Sequence, residues 1–209
     1  MYLELFGMPG VGKTTMYNLI TDRNNNYVKI CKNHLFYNLN IIPLFKALVI
    51  SNKIYKLVKN EYFNQSKYLD NIDNFCKFKN SLVVAFYFYY KYKDNISNYI
   101  THHGIIQTLS QLKFLREYKN EVFYNKLIKL LPIENIKYVY LKANIATAYK
   151  RGSKRAKENK YNHNRTEIEM RHFFYFYNYF GKHLKNIFYI NGEKELKDIN
   201  INFILRELE

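Results

Sequence analysis

Cysteine, acidic residues and unbroken apolar stretches are what this 209-residue chain has little of. Its two cysteines, Cys31 and Cys76, are too few for a disulfide framework, and no Cys/His spacing matches a zinc site. No apolar run reaches the roughly 20 residues that a membrane span needs. The nearest, SLVVAFYFYY from Ser81 to Tyr90, is about half that length and reads as a buried helix. No secretory pattern of charge and apolar core stands at the N-terminus. The expectation is a cytoplasmic protein in a reducing compartment, without a membrane partner. Internal repeats and Gly/Ser linkers are missing too, and the length suits one α/β domain over 1–209.

The acid shortage is large: 17 Asp+Glu against 33 Lys+Arg, a net charge of +16. Such a surface attracts nucleic acid or polyphosphates. Lysine is accompanied by an excess of Asn, Ile, Tyr and Phe, as an AT-rich coding bias produces, so much of it reads as solvated surface. Arginine is more specific. Four of the seven, Arg151, Arg155, Arg165 and Arg171, fall within 21 residues, and the planar guanidinium fork suits phosphate.

Short apolar runs alternating with helical stretches predict a parallel sheet covered on both faces. The strand candidates are Tyr2–Gly7, Tyr27–Lys32, Asn98–His103, Lys137–Ala143 and Ile187–Gly192. Between the second and third, helical spacing of Leu44, Leu48, Ile54, Leu57, Val58, Leu82, Ala85, Phe86 and Tyr89 predicts a helical insert over approximately 35–95. Pro43 and the polar stretch Asn64 to Asn74 are expected to break it. After the last strand, Leu196, Ile199, Phe203 and Leu208 fit an amphipathic helix that packs back on the sheet.

Gly7 to Thr14, GMPGVGKT, satisfies G-x-x-x-x-G-K-[ST], the P-loop or Walker A pattern, with a strand before it and a helix after it. Each part has a chemical reason. Gly7, Met8, Pro9, Gly10, Val11 and Gly12 form a curled backbone whose N–H groups face a phosphate, and the helix beginning at Lys13, Thr14 and Thr15 adds its dipole. Lys13 brings charge to the β- and γ-phosphates, and Thr14 offers a hydroxyl to Mg²⁺.

With its loop at the N-terminus, a helical insert after strand 2, an arginine-rich segment after strand 4 and a short fifth strand, the sequence resembles the P-loop nucleoside and nucleotide kinases, thymidylate kinase-like proteins above all. The resemblance implies a three-layer P-loop NTPase fold with a central five-stranded parallel sheet. It implies transfer of the γ-phosphoryl of ATP, with Mg²⁺, to a small acceptor such as a nucleotide or nucleoside. It also implies that the segment of approximately 150–171 is a lid whose arginines, Arg151 and Arg155 first, close over the transferring group, with the polar stretch Asn159 to Asn164 as its tip. A GTPase is less well matched, since THHG has Thr101, and NKYN has Asn162, where an Asp belongs.

Where such kinases carry an acid at the end of the third strand, this chain reads THHGIIQ, and no carboxylate lies between Ile96 and Glu117. Three explanations compete. A neutral histidine takes the acceptor's proton; the acceptor is already an anion and needs no base; or the protein binds nucleotide without turnover, as a regulatory or nucleic-acid-associated protein. Strand alternation allows one of His102 and His103 to face the site, and His103, beside Gly104, is the candidate. On the acceptor side, Lys32, His34, Gln107 and Arg116 are weaker candidates, each readable as ordinary surface or packing.

Overall fold

The strand Tyr2–Phe6 (β1) is buried at all five positions, although its neighbours in the sheet lie about a hundred residues or more further along the chain. In the computed structural model, which describes residues 1–24, 26–30, 40–65, 72–95, 97–132, 135–158, 165–194, 203, 204 and 206, β1 is the middle of a parallel sheet. Its companions are Tyr27–Lys29 (β2), Asn98–Thr101 (β3), Ile136–Lys142 (β4) and Ile187–Asn191 (β5), in the order β2-β3-β1-β4-β5. Leu3 pairs with Ile100 on one side and with Lys137 on the other. The chain winds to one side of β1 through β2 and β3 and to the other through β4 and β5. A ligand crevice therefore belongs at the carboxyl ends beside β1.

Strand alternation separates two cores. Tyr2 and Phe6 of β1, with Tyr138 and Tyr140 of β4, face one way, where Phe6 stacks on Tyr140 at 4.9 Å. Leu3, Leu5, Val139 and Leu141 face the other, against Met16, Tyr17 and Ile20 of Lys13–Arg23 (α1). The first face is the thick one. It carries Ile41–Asn64 (α2), Ile72–Tyr92 (α3), Ile105–Leu109 (α4), Lys113–Glu117 (α5), Glu121–Lys129 (α6) and Glu167–His183 (α8). The buried stripe Ala47, Ile54, Val58 and Tyr62 of α2 lies against α3, whose Leu82 to Tyr89 segment holds the buried run expected from Ser81 to Tyr90. The remaining helix, Ile145–Glu158 (α7), follows β4 and has Ala148 as its buried anchor.

Several expectations need adjustment. Pro43 does not break the insert: it sits in the first turn of α2, where a proline costs no helical hydrogen bond. The third strand ends at Thr101, not His103, because His103 N–H donates to Thr101 Oγ1 at 3.1 Å and turns the chain. Near the end of the chain Ile204 is the residue buried against β1 and α1, while Phe203 is exposed. Leu196, Ile199 and Leu208 lie outside the described residues, as do Lys32, His34 and the stretch 159–164. No described helix is long and apolar enough to cross a membrane.

Candidate phosphate site

The loop after β1 is held from both sides of the sheet. Met8 is buried in the thick core and Val11 in the thin one, so the backbone between them is fixed while its polar groups face outward. Gly7, Gly10 and Gly12 have φ of 148°, 81° and 98°, a region that favours glycine. At Gly10 space decides as well: a Cβ there would run into the Ala148 carbonyl and stand 2.9 Å from the Gly152 nitrogen, both on α7. The loop and α7 thus touch backbone to backbone. Gly12 is the N-cap of α1 and has no side chain with which to cap it, leaving the helix's first N–H groups for an anion.

Lys13 is half-buried, and its ammonium donates to the carbonyls of Gly7 at 2.7 Å and Met8 at 2.8 Å. Burial, reinforced by the charges of Arg165 and Arg155, pushes it down to about 7. Around it opens a cavity of about 810 Å³, onto which Thr14, Thr15, Gln107, both histidines, Arg151, Arg155, Arg165 and Lys194 also face. Among the described residues lining it there is no Asp or Glu.

The four clustered arginines divide. Arg151 donates to the Gly192 and Glu193 carbonyls, the latter at 3.0 Å, tying α7 to the turn after β5. Arg155 lies one turn further along the same helix and lines the cavity. Arg165 stands over the Phe173 ring of α8 at 5.0 Å and also lines it. Arg171 does not: it pairs with Glu167 at 2.7 Å on the exposed side of α8. The α8 start is fixed by Thr166 and Glu169, each side chain bonding the other's backbone N–H.

Both histidines line the cavity, against the expectation that one would turn away. Alternation applies only within a strand, and β3 has already ended. The His102 ring lies 4.6 Å from Tyr17 and 4.1 Å from His103. Gln107 faces the same space, its amide oxygen accepting from Tyr177 at 2.9 Å, and Tyr177 also bonds Ser110 at 2.5 Å. Arg116 is a packing residue: it is buried, donates to the Ser110 carbonyl at 2.6 Å and covers Phe173 at 4.2 Å.

Two residues of the site were not singled out from the sequence. Lys194 reaches the cavity from the turn after β5. Glu4, in the middle of β1, is fully buried, and its carboxylate accepts the N–H groups of Ile105, Ile106 and Gln107 at 2.9, 2.7 and 3.2 Å. The turn that lacks an acid of its own is bonded to one from the neighbouring strand. A charge inside an otherwise apolar central strand was the available signal.

No protein-family model matches the chain, and no curated protein matches it by sequence. Solved structures do. A deoxyadenosine kinase from M. mycoides with bound dATP superposes with a TM-score of 0.55 and 18% identity, over 100% of this chain and 98% of that one. The same enzyme with bound dCTP gives 0.55 and 16%, and with the products dCMP and a flexible dCDP 0.53 and 17%, each with the same coverage. At such identities the likeness is one of fold: this chain has the α/β fold of a P-loop nucleoside kinase, with its helical insert after the second strand.

Proposed function

We propose that the protein is an ATP-dependent kinase that transfers the γ-phosphoryl group to a nucleoside or nucleotide. The observation that carries this reading is the cavity itself: a P-loop lysine faces Arg151, Arg155, Arg165 and Lys194, with no carboxylate among the described lining residues. The backbone N–H groups of Gly10 and Gly12, with those that open α1 and the Lys13 ammonium, would hold the donor phosphates. A narrower cavity of about 210 Å³ adjoins, lined by Ala148, Tyr149, Ala156 and Met170 and sharing Gly10, Arg155 and Arg165 with the first; it suits the flat faces of the donor base. Arg155 and Arg165 would take up charge on the transferring oxygens, and Arg151, bonded to the β5 turn, would hold α7 in place for them. The segment from α7 to the start of α8 then acts as a lid.

For Mg²⁺ the donor set is thin. Thr14, next to Lys13, and Thr15 bring hydroxyls to the cavity, Thr14 being the one the P-loop pattern assigns to the ion, and no cluster of three His, Cys, Asp or Glu occurs among the described residues. That set fits an ion carried in on the nucleotide, held by phosphate oxygens, Thr14 and water. Held there by Thr14, such an ion would supply neutralising charge to the donor phosphates. His103 is placed to accept a proton from a hydroxyl acceptor, while an acceptor that is already an anion would need no base.

The acid-free lining also favours a second reading, a nucleotide-binding protein that does not turn over. ATP, Mg²⁺ and a panel of nucleosides and nucleotides separate the two. The kinase reading expects ADP formation well above a Lys13→Ala control; ADP at the level of that control leaves only the binding protein. Binding of DNA or RNA that is salt-sensitive and survives Lys13→Ala would instead assign the basic surface to nucleic acid.

A further inference from the structure

Glu4 puts a carboxylate in the most enclosed part of the sheet, and nothing in the proposed chemistry uses it. Alternation along β1 turns it to the face of Tyr2 and Phe6, under the start of α4. The hydroxyl groups nearest in charge are those of Tyr2, Tyr138 and Tyr177, whose protons its charge helps to retain, with Tyr89 behind Tyr2. No ion pair to Glu4 occurs among the described residues. An unpaired buried carboxylate is costly unless its lone pairs are filled. Here they are filled by three backbone N–H groups, the donors that α4 cannot satisfy within itself and that its N-cap, Gly104, has no side chain to meet. The fit is steric as well as polar. A Cβ on Gly104 would fall on the carboxylate, 2.5 Å from Oε2.

The segment fixed in this way is the one that carries His102, His103 and Gln107 into the cavity. We propose that Glu4 is a positioning residue of the phosphate site: its carboxylate anchors the 102–104 turn and the first turn of α4, and so sets where His102, His103 and Gln107 stand against the bound phosphates. The proposal rests on reading the cavity as a site of phosphoryl transfer. Burial pushes the Glu4 carboxyl up to about 7, against the pull of its three N–H bonds. The anchor therefore changes state near neutrality. Once protonated, the group gives up an acceptor and turns an O–H toward N–H donors, and the turn loosens.

Glu4→Gln copies that state, keeping one oxygen and facing an NH₂ donor toward the amides. Since the P-loop is untouched, ATP should bind within about twofold of wild type while kcat falls by at least about tenfold, a split that a purely structural cap does not give. In NMR spectra the amides of Ile105, Ile106 and Gln107 and the rings of His102 and His103 should move together. Unchanged kcat with unmoved resonances overturns the proposal. If Glu4→Gln does not fold, wild-type protein carries the test: the same three amides should be protected from solvent exchange and should shift as the Glu4 carboxyl titrates, and amides that exchange freely, or that stay put while that carboxyl titrates, refute the anchor. That titration does not depend on turnover. Amides that titrate in a protein without kinase activity would sustain the anchor and remove the proposed function.

Discussion

Nucleotide affinity should fall steadily above neutral pH because of Lys13. In the ligand-free site its ammonium is pushed down to about 7, first by burial and then by Arg165 and Arg155. Phosphates bound against it would restore its ordinary range, so the lysine of the complex is charged at any pH of interest. Above pH 7 the free protein must then take up a proton in order to bind, and the apparent dissociation constant grows as one plus ten to the power of pH minus 7. Between pH 7 and 9 that is about a 50-fold loss of affinity, a range in which a phosphate monoester, with its second ionisation near pH ~6, is already fully ionised. Calorimetric titration in buffers of different ionisation enthalpy should count nearly one proton taken up per nucleotide at pH ~9 and about half a proton at pH ~7. Stability of the ligand-free protein should run the other way. A lysine whose folded pKa is depressed binds fewer protons folded than unfolded between about 7 and 10.5, so the urea midpoint should climb with pH across that window. No proton uptake at pH ~9, or an affinity that is flat from pH ~7 to ~9, would refute the reasoning.

Two substitutions test the supports of the site. Gly10→Ala places a methyl at φ 81° against α7 backbone atoms that cannot step aside; a stability loss of about 1–3 kcal/mol in thermal melts should accompany weaker nucleotide binding, as loop and α7 separate. Tyr177→Phe deprives Gln107 Oε1 and Ser110 of a buried partner while the ring stays in place; urea titration should show a loss of about 1–2 kcal/mol.

The P-loop and the five strands were legible because their signals are local. The loop's glycines, lysine and threonine are consecutive, and each strand is an apolar run between turns. Strand ends were less so: apolar or small residues continue past the last ladder bond, as Gly7, Ala143 and Gly192 do. His102 and His103 were placed by alternation, which fails where a strand ends in a turn. The arginine cluster looked uniform in sequence although Arg171 has Glu167 one helical turn before it, a pairing that removes it from the site and could have been read from the i,i+4 spacing. Lys194 and Glu4 were hidden for a different reason. Each reaches the site through strand order: β5 and the turn after it approach the P-loop through β4, and β1 lies beside β3, about a hundred residues away.

The acid shortage of the chain takes on a particular meaning at the site. Lys13, Arg155, Arg165 and Lys194 converge on one cavity without an acidic neighbour among its described lining, so burial, which is what chiefly pushes Lys13 toward neutrality, is reinforced by Arg165 and Arg155 and opposed by no lining carboxylate. The carboxylate that does come close, Glu4, is not among the cavity's lining and accepts the amides of α4, so its charge goes to holding a turn. A site built this way handles charge by importing it. On the proposed function a nucleotide would bring the anion and its own magnesium, and an acceptor that is itself an anion would complete the neutralisation of the remaining cations. The same arrangement ties binding, through Lys13, and geometry, through Glu4, to groups that titrate near the same pH. On the proposed function the two would oppose each other: raising the pH through neutrality would firm the turn that bears the histidines while it discharges the lysine of the free site, so kcat/KM for the nucleotide is expected to peak near pH 7 and kcat at saturating nucleotide to keep only the rising limb.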